Sequence, residues 1–173
     1  RATETGYYLK KHVDENISLD PNNTTSSTHT WIFFRYGGIL LDYAEAMNEA
    51  YGPENVGAFD MTAREAVNEV RARVNMPPFP SGMSQSAFRQ ELREERMVEL
   101  AFEDHRFWDL RRWEIGPSTR AIYGAEIEQV APGDFEYDKV LIEERVWDDR
   151  MYLYPIPQNE VFINENLGQN SGW

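Results

Sequence analysis

The sequence predicts a mainly α-helical fold that ends in a loop-rich C-terminal region with a few short strands. Three stretches between residues 31 and 101 repeat apolar residues at three- and four-residue intervals, which is the periodicity of one helix face. Helix-capping residues precede two of these stretches, and glycine or proline follows two of them. After residue 114 glycine and proline recur at short intervals, which indicates turns.

The first two helices are expected to form a tetratricopeptide-type helical hairpin. Residues 31–51 contain the first helix, and Gly52-Pro53 ends it. The second begins at Thr62, where Glu65 completes a capping box, and Pro77-Pro78 stops it. A short connection lets two such helices lie antiparallel, although no repeat of the tetratricopeptide length is visible. The expected buried residues are Leu40, Leu41, Ala44, Met47 and Tyr51, then Ala63, Val67, Val70 and Val74.

A third helix is predicted after Ser84, which has the side chain of an N-cap. Its apolar stripe begins at Phe88 and Leu92 and then moves to nearly the opposite side, so that the helix would be covered on more than one face. The second part of the stripe comprises Met97, Leu100 and Ala101. Charged residues on this helix are therefore expected to lie beneath neighbouring segments, and they include Arg93, Glu95, Arg96 and Glu99. The i,i+3 spacing favours an ion pair between Arg96 and Glu99.

Residues 94–113 mix many charges with large apolar side chains, so some of the charges must be partly buried. Buried charges persist only when they are paired. A further helical turn or two is expected at residues 106–113, where Asp109 and Arg112 can pair at i,i+3. We interpret five residues of this segment as structural: Arg96, Glu99, Arg106, Trp108 and Asp109.

The two ends of the chain are expected to be irregular. Residues 7–9 form a possible strand that precedes a polar loop, and residues 139–154 alternate enough to permit one or two short strands. Pro157 suits the first turn of a last short helix that ends at Ile163. Turns are predicted at Gly116-Pro117, Gly124 and Pro132-Gly133.

Composition limits the possible functions. A chain of 173 residues suits one domain with a sizeable core. Its net charge of -13 argues against a nucleic-acid ligand, because binding a polyanion requires a local excess of cations. The absence of cysteine excludes thiol catalysis, disulfides and cysteine-based metal sites. No apolar run approaches the roughly 18 residues that a membrane-spanning helix needs.

Catalytic and metal sites are not indicated. Glu99 and Glu103 lie one helical turn apart and project from one face, whereas a glycosidase needs carboxyl groups on different sides of the bond. Asp104 and His105 diverge as neighbours on a helix, and no Gly-x-Ser-x-Gly motif accompanies them. The three histidines are scattered, and neither a cofactor nor a metal is expected. The loop at residues 20–23 leaves open a chance oxygen site for Ca²⁺.

Sugar binding needs no catalytic group, because the apolar face of a sugar stacks on an aromatic ring while polar side chains satisfy its hydroxyls. Aromatic residues in loops are the best candidates, since those on helices are needed for packing. Three candidates lie in the turn-rich loop that we predict for residues 114–138: Tyr123, Phe135 and Tyr137.

Several motifs occur in a fixed order along the chain. Residues 5–11 read TGYYLKK, and residues 35–46 are similar to the pattern R-x-A-E-x-L-L-x-Y-A-E-A with Gly37-Gly38 in place of Ala-Glu. Residues 68–77 resemble N-x-V-R-x-R-x-G-x-P, with Asn75 where glycine is common. The charged segment follows, and residues 155–170 complete the series. Together these motifs resemble the C-terminal signature of the SusD/RagB family, the cell-surface nutrient-binding lipoproteins of Bacteroidetes.

The resemblance implies that residues 1–173 are a single domain and the C-terminal part of a SusD-like protein, with a secretion signal and lipid anchor upstream. It implies outer-membrane localisation at the cell surface, with membrane association only through that anchor. The expected partners are an oligosaccharide or other nutrient and a SusC-like TonB-dependent transporter, and the expected function is binding and delivery without catalysis. The alternative is a protein-interaction scaffold that contacts the transporter and binds no nutrient itself. A third hypothesis, a hydrolase, is not supported by any motif.

Overall fold

The structure is a computed structural model that describes residues 3, 5–18 and 20–173. The described residues contain five α-helices and one two-stranded antiparallel sheet, which confirms the mainly α-helical prediction. The helices are α1 (Tyr36–Tyr51), α2 (Ala63–Ala72), α3 (Gln85–Glu99), α4 (His105–Arg112) and α5 (Gln158–Ile163). The strands are β1 (Ala121–Ala131) and β2 (Asp134–Glu144), and short 3₁₀ turns occupy Gly116–Thr119 and Asp149–Tyr152.

The chain divides into two compact units. Residues 26–106 form the helical unit, which holds α1, α2 and α3. Residues 1–25 and 107–173 form the hairpin unit, which holds the sheet and α5. The prediction of a single domain stays a prediction, because two compact units can belong to one domain.

The helical unit is built as a layer of α2 and α3 on α1. Helix α1 begins at Tyr36 and ends at Tyr51, and the C-cap Gly52, with a φ of 83°, takes the chain out of the helix as predicted. Four of the five residues expected on its buried face are buried, but Tyr51 is exposed because it lies in the last turn. Phe79 and Phe88 meet edge to face in this core with ring centroids 5.5 Å apart.

Helix α2 begins with the predicted capping box, in which Thr62 and Glu65 bond each other's backbone N–H groups. The helix ends at Ala72, earlier than Pro77-Pro78, because the chain turns at residues 73–75 with Asn75 in the left-handed region. The prediction for Val74 was therefore wrong, since this residue lies beyond the helix and is exposed.

Helix α3 begins at the predicted N-cap Ser84, whose hydroxyl accepts a hydrogen bond from the N–H of Ala87. Phe88, Leu92 and Arg96 recur at four-residue intervals and form its buried face. The expected second stripe was wrong at Met97, which is exposed, whereas Leu100 at the C-cap is buried.

The C-terminal region differs from its prediction. Residues 121–144 form a hairpin of two long strands. A turn-rich loop was expected up to residue 138, so Gly124 lies inside β1 and not at a turn, whereas residues 139–144 of β2 fall in the segment for which a strand was predicted. No strand forms at residues 7–9 or, after β2, at residues 145–154. The last helix ends at Ile163 as predicted, with Pro157 as its N-cap. Among the described residues, no helix is both long enough and apolar enough to cross a bilayer.

Candidate functional site

The candidate site is the hairpin of β1 and β2. Each strand has eleven residues, and the turn between them contains Pro132-Gly133. Gly133 has a φ of 82°, a conformation that glycine adopts without the steric cost of a side chain. The prediction of a turn at this dipeptide is confirmed.

The pairing register brings the large apolar residues of both strands to one side. Tyr123 lies opposite Leu141, Ile127 opposite Tyr137, and Gln129 opposite Phe135. Residues directly opposite each other share a face of the sheet, and so do residues two positions apart along a strand. The register therefore creates what we call the aromatic face, formed by Tyr123, Ile127, Phe135, Tyr137 and Leu141.

The aromatic face is open to solvent. Its five side chains are between 42% and 65% exposed, and Tyr137 is the most exposed of them. The ammonium group of Lys139 lies 4.1 Å from the ring centre of Tyr123, so a cation–π contact occupies that ring. Tyr137 and Phe135 are therefore the rings best placed to stack on a ligand.

The base of the hairpin is held by the rest of its unit. The N–H of Ala125 donates to the carbonyl of Thr5 at 3.0 Å, and the N–H of Arg145 donates to the carbonyl of Arg120 at 2.7 Å. Gly124 is buried here, and a Cβ at this position would lie 2.9 Å from the Thr5 carbonyl oxygen. Glycine thus permits the close approach of residue 5, while the part of the hairpin nearer the turn projects into solvent.

Charge at the end of the hairpin is arranged as an exposed ion pair. Arg145 Nη2 donates to Glu143 Oε2 at 2.9 Å, and both side chains are about half exposed. This hydrogen bond lowers the pKa of Glu143 below its ordinary value and raises that of Arg145. The pair therefore favours the ionised form of the Glu143 carboxylate.

The structure brings the three predicted ligand-binding residues together, but in a setting that differs from the prediction. Tyr123, Phe135 and Tyr137 lie on strands and not in an irregular loop. Sequence reasoning missed Ile127, Lys139 and Leu141, which share their face. The signal was the alternation of large and acidic residues on either side of Pro132-Gly133, a hairpin pattern that we read as loop. Their role in binding stays a prediction.

Of the charged residues interpreted as structural, Glu99 lies in an ion-pair network of the helical unit. Arg35 Nη1 donates to Glu99 Oε1 at 2.6 Å, while its Nε and Nη2 donate to the two carboxylate oxygens of Glu103 at 2.7 and 2.9 Å. The hydrogen bond to Glu103 is the main reason that the pKa of Arg35 is raised. Arg73 also donates to Glu99. Both carboxylates therefore bind guanidinium groups, and the structural role assigned to Glu99 stays a prediction.

Arg96 is only 5% exposed, and its Nη1 lies 2.6 Å from Asp42 Oδ1. The ion pair with Glu99 expected from the i,i+3 spacing stays a prediction. Arg106, at the end of the same unit, is half-buried. Arg71 and Glu95 form another ion pair, so α3 carries charge on the side that faces its neighbours.

Asp109 and Trp108 belong to the hairpin unit and differ in burial. Asp109 is 3% exposed and accepts a hydrogen bond from Arg112 Nε at 2.8 Å, which confirms the predicted i,i+3 pair. Trp108 is 58% exposed and meets Phe107 edge to face at 5.0 Å. The structural role assigned to Trp108 stays a prediction.

Comparison with known proteins identifies relatives along the whole chain. The SusD family profile matches residues 1–173. SusD-like protein P2 of Formosa agariphila is 31% identical over 160 residues, an alignment that covers 88% of this chain and 28% of the relative. SusD-like protein P25 of the same organism is 34% identical over 100 residues, which is 58% of this chain and 18% of the relative. The chain thus spans less than a third of the length of these relatives.

Solved structures agree in fold. The crystal structure of a SusD-like protein from Bacteroides fragilis superposes with a TM-score of 0.68 at 38% identity, covering 83% of this chain and 26% of that one. A SusD homologue from Bacteroides thetaiotaomicron gives a TM-score of 0.56 at 28% identity, covering 87% of this chain and 30% of that one. The motifs, the helical fold and these matches together establish that the chain belongs to the SusD family.

Proposed function

We propose that this chain is part of a cell-surface protein that binds oligosaccharides and delivers them to a SusC-like TonB-dependent transporter in the outer membrane. Membership of the SusD family supports this function. The observation that carries it to particular residues is the aromatic face, where three rings and two aliphatic side chains are exposed together on one side of the hairpin. No bond is made or broken in this function, and a lipid anchor would hold the protein at the cell surface.

The aromatic face suits an extended glycan. Phe135 and Tyr137 are two residues apart on β2, and the position opposite Tyr137 is four residues from Tyr123 on β1. At about 3.3 Å per residue, the three rings span about 20 Å along the strands. A row of this length offers stacking positions to several sugar rings of one chain, while the hydroxyl groups at their edges stay in water.

The test is isothermal titration of the full-length protein with a panel of oligosaccharides and a panel of peptides. We expect heat from at least one oligosaccharide, and the peptides test whether the nutrient belongs to another class. Each aromatic contact adds about 0.5 to 1.5 kcal/mol, so Tyr137→Ala should weaken binding by about two- to tenfold. Phe162→Ala is the matched control, because Phe162 is an exposed ring on α5 outside the aromatic face. Binding that is lost equally in both variants, or a silent oligosaccharide panel, would contradict the proposal.

Delivery is tested separately by co-purification with a SusC-like TonB-dependent transporter. If the chain is instead a scaffold, the transporter will co-purify and no oligosaccharide will bind to the wild-type protein or to Tyr123→Ala and Tyr137→Ala. Release of product from a polysaccharide would contradict both the binding hypothesis and the scaffold hypothesis and would support a hydrolase.

A further inference from the structure

The opposite face of the same hairpin is acidic. Asp134, Glu136 and Asp138 alternate with Phe135 and Tyr137 along β2, so that one side of the strand is acidic and the other is aromatic. Glu128 on β1 lies directly opposite Glu136. All four of these carboxylates are exposed, and like charges in directly opposite positions destabilise a sheet.

Strand β2 also has an open edge. The sheet contains only two strands in the described part of the chain, and β1 receives the contact from Thr5. Between the described residues, no tertiary backbone hydrogen bond reaches residues 134–144 from another segment. An edge strand of this length presents a row of backbone donors and acceptors that another extended chain can pair with.

We propose that the outer edge of β2 binds an extended segment of a partner protein in which lysine or arginine alternates with aliphatic or aromatic residues. In an added third strand, each side chain lies beside the β2 side chains on the same face. The basic residues of the partner then lie beside Asp134, Glu136 and Asp138, and its apolar residues lie beside Phe135 and Tyr137. The added cations relieve the repulsion between Glu128 and Glu136.

Two other occupants fit less well. A second copy of β2 would place carboxylates beside carboxylates or beside the aromatic face, so the acidic residues oppose self-association through this edge. A metal ion is not favoured either, because no group of three acidic or histidine side chains in the described residues is arranged to hold one. The proposal does not depend on glycan binding, because the strand edge and the acidic face carry it, although the apolar residues of the partner also lie beside Phe135 and Tyr137 of the aromatic face.

The experiment uses a labelled peptide of about nine residues in which lysine alternates with valine, the length of a long strand. Fluorescence anisotropy with the full chain should give saturable binding that weakens as salt is added. Amide hydrogen exchange should slow at residues 134–141 when the peptide binds. Replacing lysine by glutamate in the peptide should abolish binding. Replacing the central valine by proline should do the same, because proline cannot donate the backbone hydrogen bond that an added strand needs.

The variant for this test is the double charge reversal Glu136→Lys with Asp138→Lys, which should weaken peptide binding by about tenfold. Glu91→Lys with Glu94→Lys is the matched control, since it changes net charge equally at exposed positions of α3. Equal loss in both variants would attribute binding to net charge and overturn the proposal. The proposal would also be overturned if the proline peptide bound fully or if no peptide bound. Sedimentation of the chain as a dimer that the double reversal dissociates would overturn it as well.

Discussion

The two units place the same kinds of side chain in different environments, buried in one and exposed in the other. In the helical unit, Phe88 is fully buried and Arg35 binds two carboxylates that have little contact with solvent. In the hairpin unit, Phe135 is exposed on a strand, and Arg145 pairs with Glu143 in solvent. Buried groups contribute stability, whereas exposed groups are available to a ligand. The helical unit is therefore expected to respond to mutation in its stability and the hairpin in its binding.

The largest expected difference is between two phenylalanines. Phe88→Ala should lower the free energy of unfolding by about 3 to 5 kcal/mol, because it removes a fully buried ring and leaves a cavity. Phe135→Ala should lower it by less than about 1 kcal/mol, because the ring is already in partial contact with water. Urea unfolding followed by far-UV circular dichroism measures both. Similar losses in the two variants would show that the hairpin is as tightly packed as the helices.

A second comparison concerns two arginines. Arg35→Ala removes the hydrogen bonds to Glu99 and Glu103, whose side chains are 12% and 8% exposed. It should lower the free energy of unfolding by about 3 kcal/mol, because both carboxylates lose a partner. Arg145→Ala is the control in the hairpin unit, and its unfolding midpoint should match that of the wild type, since solvent screens the pair with Glu143. The stability of Arg35→Lys should lie between those of the two alanine variants, because lysine keeps the charge but lacks the planar fork that binds a carboxylate through two nitrogens.

Two spectroscopic probes separate the units in these experiments. Four of the five tryptophans, at positions 108, 113, 147 and 173, lie in the hairpin unit, so fluorescence reports mainly on that unit. Circular dichroism reports mainly on the helical unit, which contains α1 to α3. Arg35→Ala should shift the dichroism transition more than the fluorescence transition. The reverse order would contradict the assignment of the ion-pair network to the stability of the helical unit.

What sequence reasoning predicted correctly depends on local interactions. The Thr62 capping box, the Ser84 N-cap and the pair of Asp109 with Arg112 involve residues three positions apart, so spacing alone identifies them. The burial of Arg96 also followed from its position on the helix. The identity of its partner, Asp42, could not be predicted from spacing, because the two residues are 54 positions apart and only the packing of α1 on α3 brings them together.

Strand β1 and the first part of β2 were missed for a different physical reason. A strand with one buried face is recognised in a sequence by its alternation of apolar and polar residues. Strand β2 has no such face, because it is exposed on both sides along most of its length. Its alternation of aromatic and acidic residues therefore lacks the aliphatic pattern of a core strand. Tyr123, Phe135 and Tyr137 were still identified as ligand-binding candidates. They were chosen because they lie outside the predicted helices and are not needed for helix packing, which does not depend on whether they lie in a loop or in a strand.

The smallest expected effect tests whether exposed ion pairs in the helical unit behave like those in the hairpin. Arg89 Nε and Nη2 both donate to the carboxylate of Glu49 at 2.5 Å, and these hydrogen bonds lower the pKa of Glu49 below its ordinary value of 4.5. A carboxyl group with a lowered pKa in the folded state binds fewer protons than it does in the unfolded chain. Its contribution is therefore complete above pH 4.5 and is lost as the pH falls through the lowered pKa.

Glu49→Gln removes this contribution, so wild type and variant should differ at neutral pH and converge in acid. The difference should stay below about 1 kcal/mol, because 44% of the Glu49 side chain is exposed and solvent screens the pair. Urea unfolding at a series of pH values measures it, and added salt should reduce it further. Glu143→Gln is the control, because that carboxylate also has a lowered pKa through Arg145 but lies in the hairpin unit at an exposed position. If Glu49→Gln is as stable as the wild type at every pH, the Arg89 pair contributes no more than its hairpin counterpart, and only the buried pairs distinguish the two units.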